Sequence, residues 1–328
     1  MAEPVAPASR RRDAGATGSA IPHWSKLAEV GTGWGLNLTF ALYRLLGERA
    51  ARLLLHPIVF WFFLFAPRAR HASRDYLSRL HGVGGYDHAP TWRDDYRHLY
   101  AFAGAALDKV AAWMGRVDLD RLVFEKQADL YALRDSGRGA VVIGSHLGSL
   151  ETARALAAHL GQQRKINAIV YGDHAIRFNA LLARANPGFA VNLIQVSQLG
   201  PDTAIELAEK IANGELLFIV GDRTPAAENG RTSQAEFLGA PAPFAQGPFI
   251  LASLLKCPVY LFFCLSEEDG KRQRFHIHFE HFAERIELPR HARGAALQAL
   301  TRRYADRLAH YCRTAPLQWF NFYDFWHP

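Results

Sequence analysis

From residue 137 onward, short apolar runs alternate with longer stretches whose apolar residues recur every three or four positions. The short runs predict strands over 140–143, 166–171, 191–196, 216–220 and 259–265, and period-two alternation predicts another over 274–282. The longer stretches predict helices over 150–160, 174–185, 201–212, 246–255 and 293–313. Their ends carry the expected punctuation: Ser149 as an N-cap, Gly161, Pro187 and Asn213-Gly214 as stops. Strand and helix in turn imply an α/β fold, with a largely parallel sheet flanked by helices. Upstream, residues 92–136 read as helical, with Tyr96, Leu99, Phe102, Ala106 and Val110 on related faces.

The N-terminal part follows a different pattern. Residues 1–22 are rich in Ala, Arg, Ser, Gly and Pro and contain Arg10-Arg11-Arg12, which reads as a disordered basic tail. No apolar run follows at signal-peptide distance, so secretion is not indicated. Residues 33–46 are mostly apolar, and 53–67 read LLLHPIVFWFFLFAP, with Arg44, Glu48, Arg49 and Arg52 between the runs. The second run, 15 residues long, reaches roughly 22 Å as a helix, short of a hydrocarbon core of about 30 Å. It therefore predicts one short tilted span, or a pair of helices lying in the interface with aromatic anchors, with a buried core helix as the alternative. The expected organisation is a tail over 1–22, membrane-associated helices over 23–91 and an α/β domain over 92–328.

Composition adds a charge argument. The chain has 328 residues and a formal charge of +7, and its isoelectric point is about 9.4. That balance suits an anionic bilayer, a phosphorylated lipid, an acidic carrier protein or nucleic acid. The three cysteines, Cys257, Cys264 and Cys312, show no CxxC spacing, so neither a disulfide framework nor a zinc site is expected. The cysteine usage fits a cytoplasmic main domain.

Open α/β sheets place their chemistry beyond the carboxyl ends of strands. Two polar clusters fall there: His146 after the strand at 140–143, and Asp222-Arg223 after the strand at 216–220, with Gly144, Gly148 and Gly221 beside them. Glu151 lies in the first turn of the helix after His146, where the helix dipole favours a carboxylate. It can reach back to one imidazole nitrogen and leave the other as a base, or it can be a plain capping residue beside an incidental histidine. His276, His278 and Glu280 share one strand face, but Ile277 and Phe279 alternate with them, so a solvated polar face is expected rather than a metal site. Gly144 to Gly148 lacks the Gly-Lys-Ser/Thr ending of a P-loop. The aromatic run from Trp319 to Trp326 lacks interleaved basic residues. It reads as core or as a membrane-facing lip, not as a nucleic-acid platform.

The segment from His146 to Glu151 resembles the H-x4-[D/E] signature of bacterial lipid A late acyltransferases, within the wider glycerolipid acyltransferase superfamily. Further segments are similar in the same order: Val170-Tyr171, Asn179 and Arg184; Gly221-Asp222-Arg223; Phe237-Leu238-Gly239 with Pro241-Ala242 and Gly247-Pro248; and Pro316 with Gln318-Trp319-Phe320. Leu147 to Leu150 differ from the residues usual inside the motif, and Arg223 stands where an amide is common. The resemblance implies a glycerolipid-acyltransferase-like fold at the cytoplasmic face of the inner membrane. It implies transfer from an acyl thioester, carried by acyl carrier protein or coenzyme A, to a lipid or glycolipid, with lipid A-type acylation as the default. No cofactor, metal or nucleic acid is implied. His146 would be the base and Glu151 its partner. Arg184 would be the oxyanion donor and Asn179 a further substrate-site residue. Asp222 and Arg223 would bind the acceptor head group or brace the histidine loop. No G-x-S-x-G elbow occurs, as expected where a thioester is attacked directly. The departures leave open another acceptor, such as an aminolipid or a polyene pigment. A non-catalytic lipid-binding protein is the remaining alternative.

Overall fold

The computed structural model describes residues 50–113, 119–149, 165–170, 192–195, 201–224, 230–269 and 272–327. The basic tail, the first apolar run and the helices expected over 150–160 and 174–185 lie outside the described residues. In chain order the elements are α1 (Ala50–Phe65), α2 (Pro67–Gly82), α3 (Trp92–Trp113), β1 (Leu122–Glu125), α4 (Ala128–Ser136), β2 (Ala140–Gly144), β3 (Ile166–Val170), β4 (Asn192–Gln195), α5 (Pro201–Ala212), β5 (Leu216–Val220), β6 (Thr232–Phe237), β7 (Ala240–Ala245), α6 (Gly247–Leu255), β8 (Val259–Asp269), β9 (Arg272–Ala283) and α7 (Arg293–Thr314).

Seven strands form one sheet in the order β1-β9-β8-β2-β5-β3-β4. The five strands from β8 to β4 are parallel; β9 runs antiparallel to β8, and β1 runs parallel to β9. The largely parallel sheet expected from the sequence is therefore present. One correction applies to the local reading. Residues 92–136 are not helical throughout, because β1 interrupts them. Phe237-Leu238-Gly239-Ala240 closes a hairpin between β6 and β7, with both turn residues at positive φ. That is the geometry of a two-residue type I′ turn.

Strand periodicity explains the two cores. Val141 and Ile143 face α6, α7 and α2, in one cluster with Leu217, Ile219, Leu261 and Phe263. Ala140 and Val142 face α4, in a second cluster with Leu216, Phe218, Phe262, Phe275, Ile277 and Phe279. All five residues of β2 are buried, as a central parallel strand requires. The alternation along β9 puts Ile277 and Phe279 in the core as expected. His276, His278 and Glu280 are on the opposite face but are not simply solvated. Glu280 pairs with Arg307 and the Tyr311 hydroxyl of α7, and the His278 ring lies 4.7 Å from the Tyr311 ring, tilted by 45°.

A smaller apolar cluster joins α1 to α3: Ala51, Leu55 and Val59 against Leu99 and Leu107, with Phe63, Tyr96 and Phe322 at its edge. The opposite face of α1 is open, with Leu53 70%, Phe60 53%, Trp61 54% and Phe65 67% exposed. Among the described residues no single helix is long and apolar enough to cross a membrane; α1 and α2, bent by 93°, pass that test only as a pair.

Candidate active site

Strand order sets the location of the site. After β2 the chain moves past β5 to β3, and after β5 it moves to β8 on the other side of β2. The two connections diverge, which makes the carboxyl ends of β2 and β5 a switch point, the place where such sheets bind ligands. Register then brings two side chains together. Gly144 pairs with Val220, and Gly221 N–H bonds Gly144 C=O at 3.0 Å. Two residues beyond the paired positions, His146 and Asp222 come opposite each other.

The contact is close. His146 Nδ1 lies 2.8 Å from Asp222 Oδ1, and the His146 backbone N–H donates to Oδ2 at 2.8 Å. Oδ2 also accepts Trp319 Nε1–H at 2.9 Å and Asn321 Nδ2–H at 3.1 Å. Three donors thus fix one oxygen and leave the other to the imidazole. The Asp222 side chain is fully buried, while that of His146 is 23% exposed. Burial alone would raise the Asp222 pKa; the His146 charge and the converging N–H groups outweigh it and hold the carboxyl below its usual range. A carboxylate here takes the Nδ1 proton of the neutral ring, which makes Nε2 the basic nitrogen.

Backbone packing fixes the histidine loop. Gly148 has φ +70°, and a Cβ there would sit 1.7 Å from the carbonyl oxygen of Cys264. Only glycine tolerates both the conformation and the approach. Ser149 N–H donates to that carbonyl at 2.9 Å, and Gly148 N–H donates to Gln318 C=O at 2.8 Å. Phe320 N–H donates to His146 C=O at 2.8 Å, and Leu147 bridges Trp319 in antiparallel fashion. The Gln318 side chain clasps β8 through Ser266 N–H and C=O. Behind the loop, the buried Tyr304 hydroxyl donates to Gly144 C=O at 2.8 Å. Its ring leaves no room for a side chain at Gly221, where a Cβ would come within 2.8 Å.

The structure thus unites His146 with Asp222, and Arg223 Nε binds Asn321 Oδ1 at 3.3 Å. Of the two roles weighed for Asp222, bracing the histidine loop matches its position. Glu151, Asn179 and Arg184 lie outside the described residues, so the carboxylate observed on Nδ1 is Asp222, where the motif pointed to Glu151. The sequence left Trp319 as core or as a membrane-facing lip, and the structure buries it; Asn321 was not singled out. The available signal was a pair of amides, Gln318 just before the aromatic run and Asn321 within it.

A model of the bacterial lipid A biosynthesis acyltransferase family matches residues 22–327. The chain belongs to that family and is an acyltransferase acting on lipid, with an acyl donor and a lipid acceptor as substrates. No curated protein matches the sequence.

Proposed function

We propose that the chain moves a fatty acyl group from an acyl carrier protein thioester to a hydroxyl of a lipid A-type glycolipid, with His146 as base. The observation that carries this is the buried Asp222 carboxylate on Nδ1 of a partly exposed imidazole, 2.8 Å away, just past the carboxyl ends of β2 and β5. Nε2 takes the proton of the acceptor hydroxyl as its oxygen attacks the thioester carbonyl. Asp222 stabilises the imidazolium. When the C–S bond breaks, the imidazolium returns the proton to the departing thiolate, so an ester and a free thiol form with no net proton change. Arg184 remains the candidate donor to the oxyanion, and Glu151 a second carboxylate for the histidine, both on the strength of the family resemblance.

The open face of α1 supports a membrane site. Exposed Leu53, Phe60, Trp61, Leu64 and Phe65, with Trp92 nearby on α3, make a surface suited to the headgroup–acyl boundary. Arg68 and Arg70 follow the bend, and Arg70 stacks on Phe63. This fits the cytoplasmic face of the inner membrane, with the +7 charge matched to anionic lipid and an acidic carrier protein.

His146→Ala should reduce thioester turnover by at least about 10³-fold while leaving fold and sedimentation with membranes unchanged; wild-type turnover would refute the assignment. Mass spectrometry of lipids from deletion and complemented strains should show one acyl group lost and regained on a glycolipid. Its appearance on an aminolipid or a polyene pigment would replace the acceptor, and no change with any donor would favour a lipid-binding protein. Phe60→Ser with Phe65→Ser should release the protein from anionic vesicles, read by flotation.

A further inference from the structure

We propose that Trp319 is a positioning residue for Asp222, and that His98 on α3 holds Trp319 in place through its backbone. The proposal rests on reading His146 as the base. Trp319 touches both halves of the pair. Its backbone bridges Leu147 beside the histidine, and its indole N–H ends on Asp222 Oδ2. An indole N–H only donates, so it demands an acceptor at that point and fixes which carboxylate oxygen turns toward the ring. Trp319 is fully buried, with Tyr76, Phe237 and Phe325 rings 4.9 to 5.3 Å away.

The carbonyl of Trp319 meets His98 Nε2 at 3.0 Å. A carbonyl only accepts, so Nε2 carries the proton. Nδ1 of the same ring is then an acceptor, and the Ser73 hydroxyl of α2 lies 3.0 Å from it. The series Ser73, His98, Trp319, Asp222, His146 thus runs from the helical layer that carries α1 to the imidazole; the donors His98 Nε2 and Trp319 Nε1 are fixed by their acceptors, while the Ser73 hydroxyl also lies 3.4 Å from Asp95 Oδ1. Among the described residues His98 makes no direct carboxylate contact, and it has no route to substrate through this chain of bonds; its part is geometric.

The test uses the full-length protein with the lauroyl thioester of acyl carrier protein as donor and an extract of the cell's own membrane lipid as acceptor, following thiol release. Removing one hydrogen bond to a charged group should lower kcat roughly 10- to 100-fold in Trp319→Phe. KM should stay within about twofold, since no substrate contact is lost. With fewer donors on it, Asp222 holds the imidazolium more strongly, so the ascending limb of the kcat/KM profile should move to higher pH. His98→Leu should show the same pattern in weaker form, and His98→Gln, which keeps a donor toward Trp319 C=O, should recover most of it. Should Trp319→Phe fail to fold, 3-benzothienylalanine at 319 replaces N–H by sulfur in a ring of the same shape. Folded variants with unchanged kcat and pH profile, beside an inactive His146→Ala, would overturn the proposal. An active His146→Ala would instead overturn the reading of the site.

Discussion

Two histidines flank Trp319, and their surroundings differ in one decisive respect. His146 faces a carboxylate and keeps part of its ring in solvent. His98 faces a carbonyl and a hydroxyl and is completely enclosed. Burial pushes the His98 pKa down to about 4, the Trp319 carbonyl only partly opposing it, so at neutral pH it is a fixed neutral linker. A buried imidazole becomes a base only when an anion stands ready for its charge and substrate can reach it. Enclosure sets His98 apart first, and the group its ring meets, a carbonyl rather than a carboxylate, adds to the difference.

The strongest way to break this contrast is to remove the anion. Asp222→Asn should cost roughly 10³ to 10⁴ in kcat by misdirecting the imidazole tautomer, as in other histidine–carboxylate pairs; loss of less than tenfold, in steady-state assay of a folded variant, would leave Asp222 without the role given to it. Acid should act on both centres, in the same sense. Asp222 has a depressed pKa, so its contribution is complete above the unfolded carboxylate value and is lost as pH falls through the folded value. His98 is neutral when folded down to about pH 4, whereas the unfolded chain takes a proton near pH 6.5. Between those values the unfolded state binds more protons, so stability should fall by about 1.4 kcal/mol per pH unit from this group, about 3 kcal/mol in all. Denaturant titrations of His98→Gln should lack that component. Smallest of all, Ser73→Ala should cost about 1 kcal/mol of stability, with little effect on turnover, because Nε2 still holds Trp319.

Much of this was legible in the sequence where one pattern decided one element. The uninterrupted apolar run Leu216–Val220 and its partner Ala140–Gly144 read as central strands, and the polar residues just past each marked the two halves of the site. What joined His146 to Asp222, 76 positions apart, was strand adjacency. The intervening β3 and β4 both lie on the far side of β5, and no local pattern reports that return. β1 has four residues, all half-buried, too short for a period to stand out from helical neighbours. The β6–β7 hairpin carries Pro241 and Pro243, which argue against a strand inside a sheet but are tolerated in a two-stranded ribbon. The indole bond of Trp319 was hidden because the same residue satisfies every expectation of a core aromatic.

The clasp formed by Gln318, Trp319 and Asn321 also imposes an order on synthesis. These residues leave the ribosome long after the histidine loop and the aspartate turn they lock together. The apolar face of α1 emerges far earlier than either. A growing chain therefore displays its greasy helix well before its acid–base pair is assembled. Premature release upstream of residue 318 would yield a polypeptide that carries the exposed apolar face of α1 but lacks the residues that clasp His146 to Asp222.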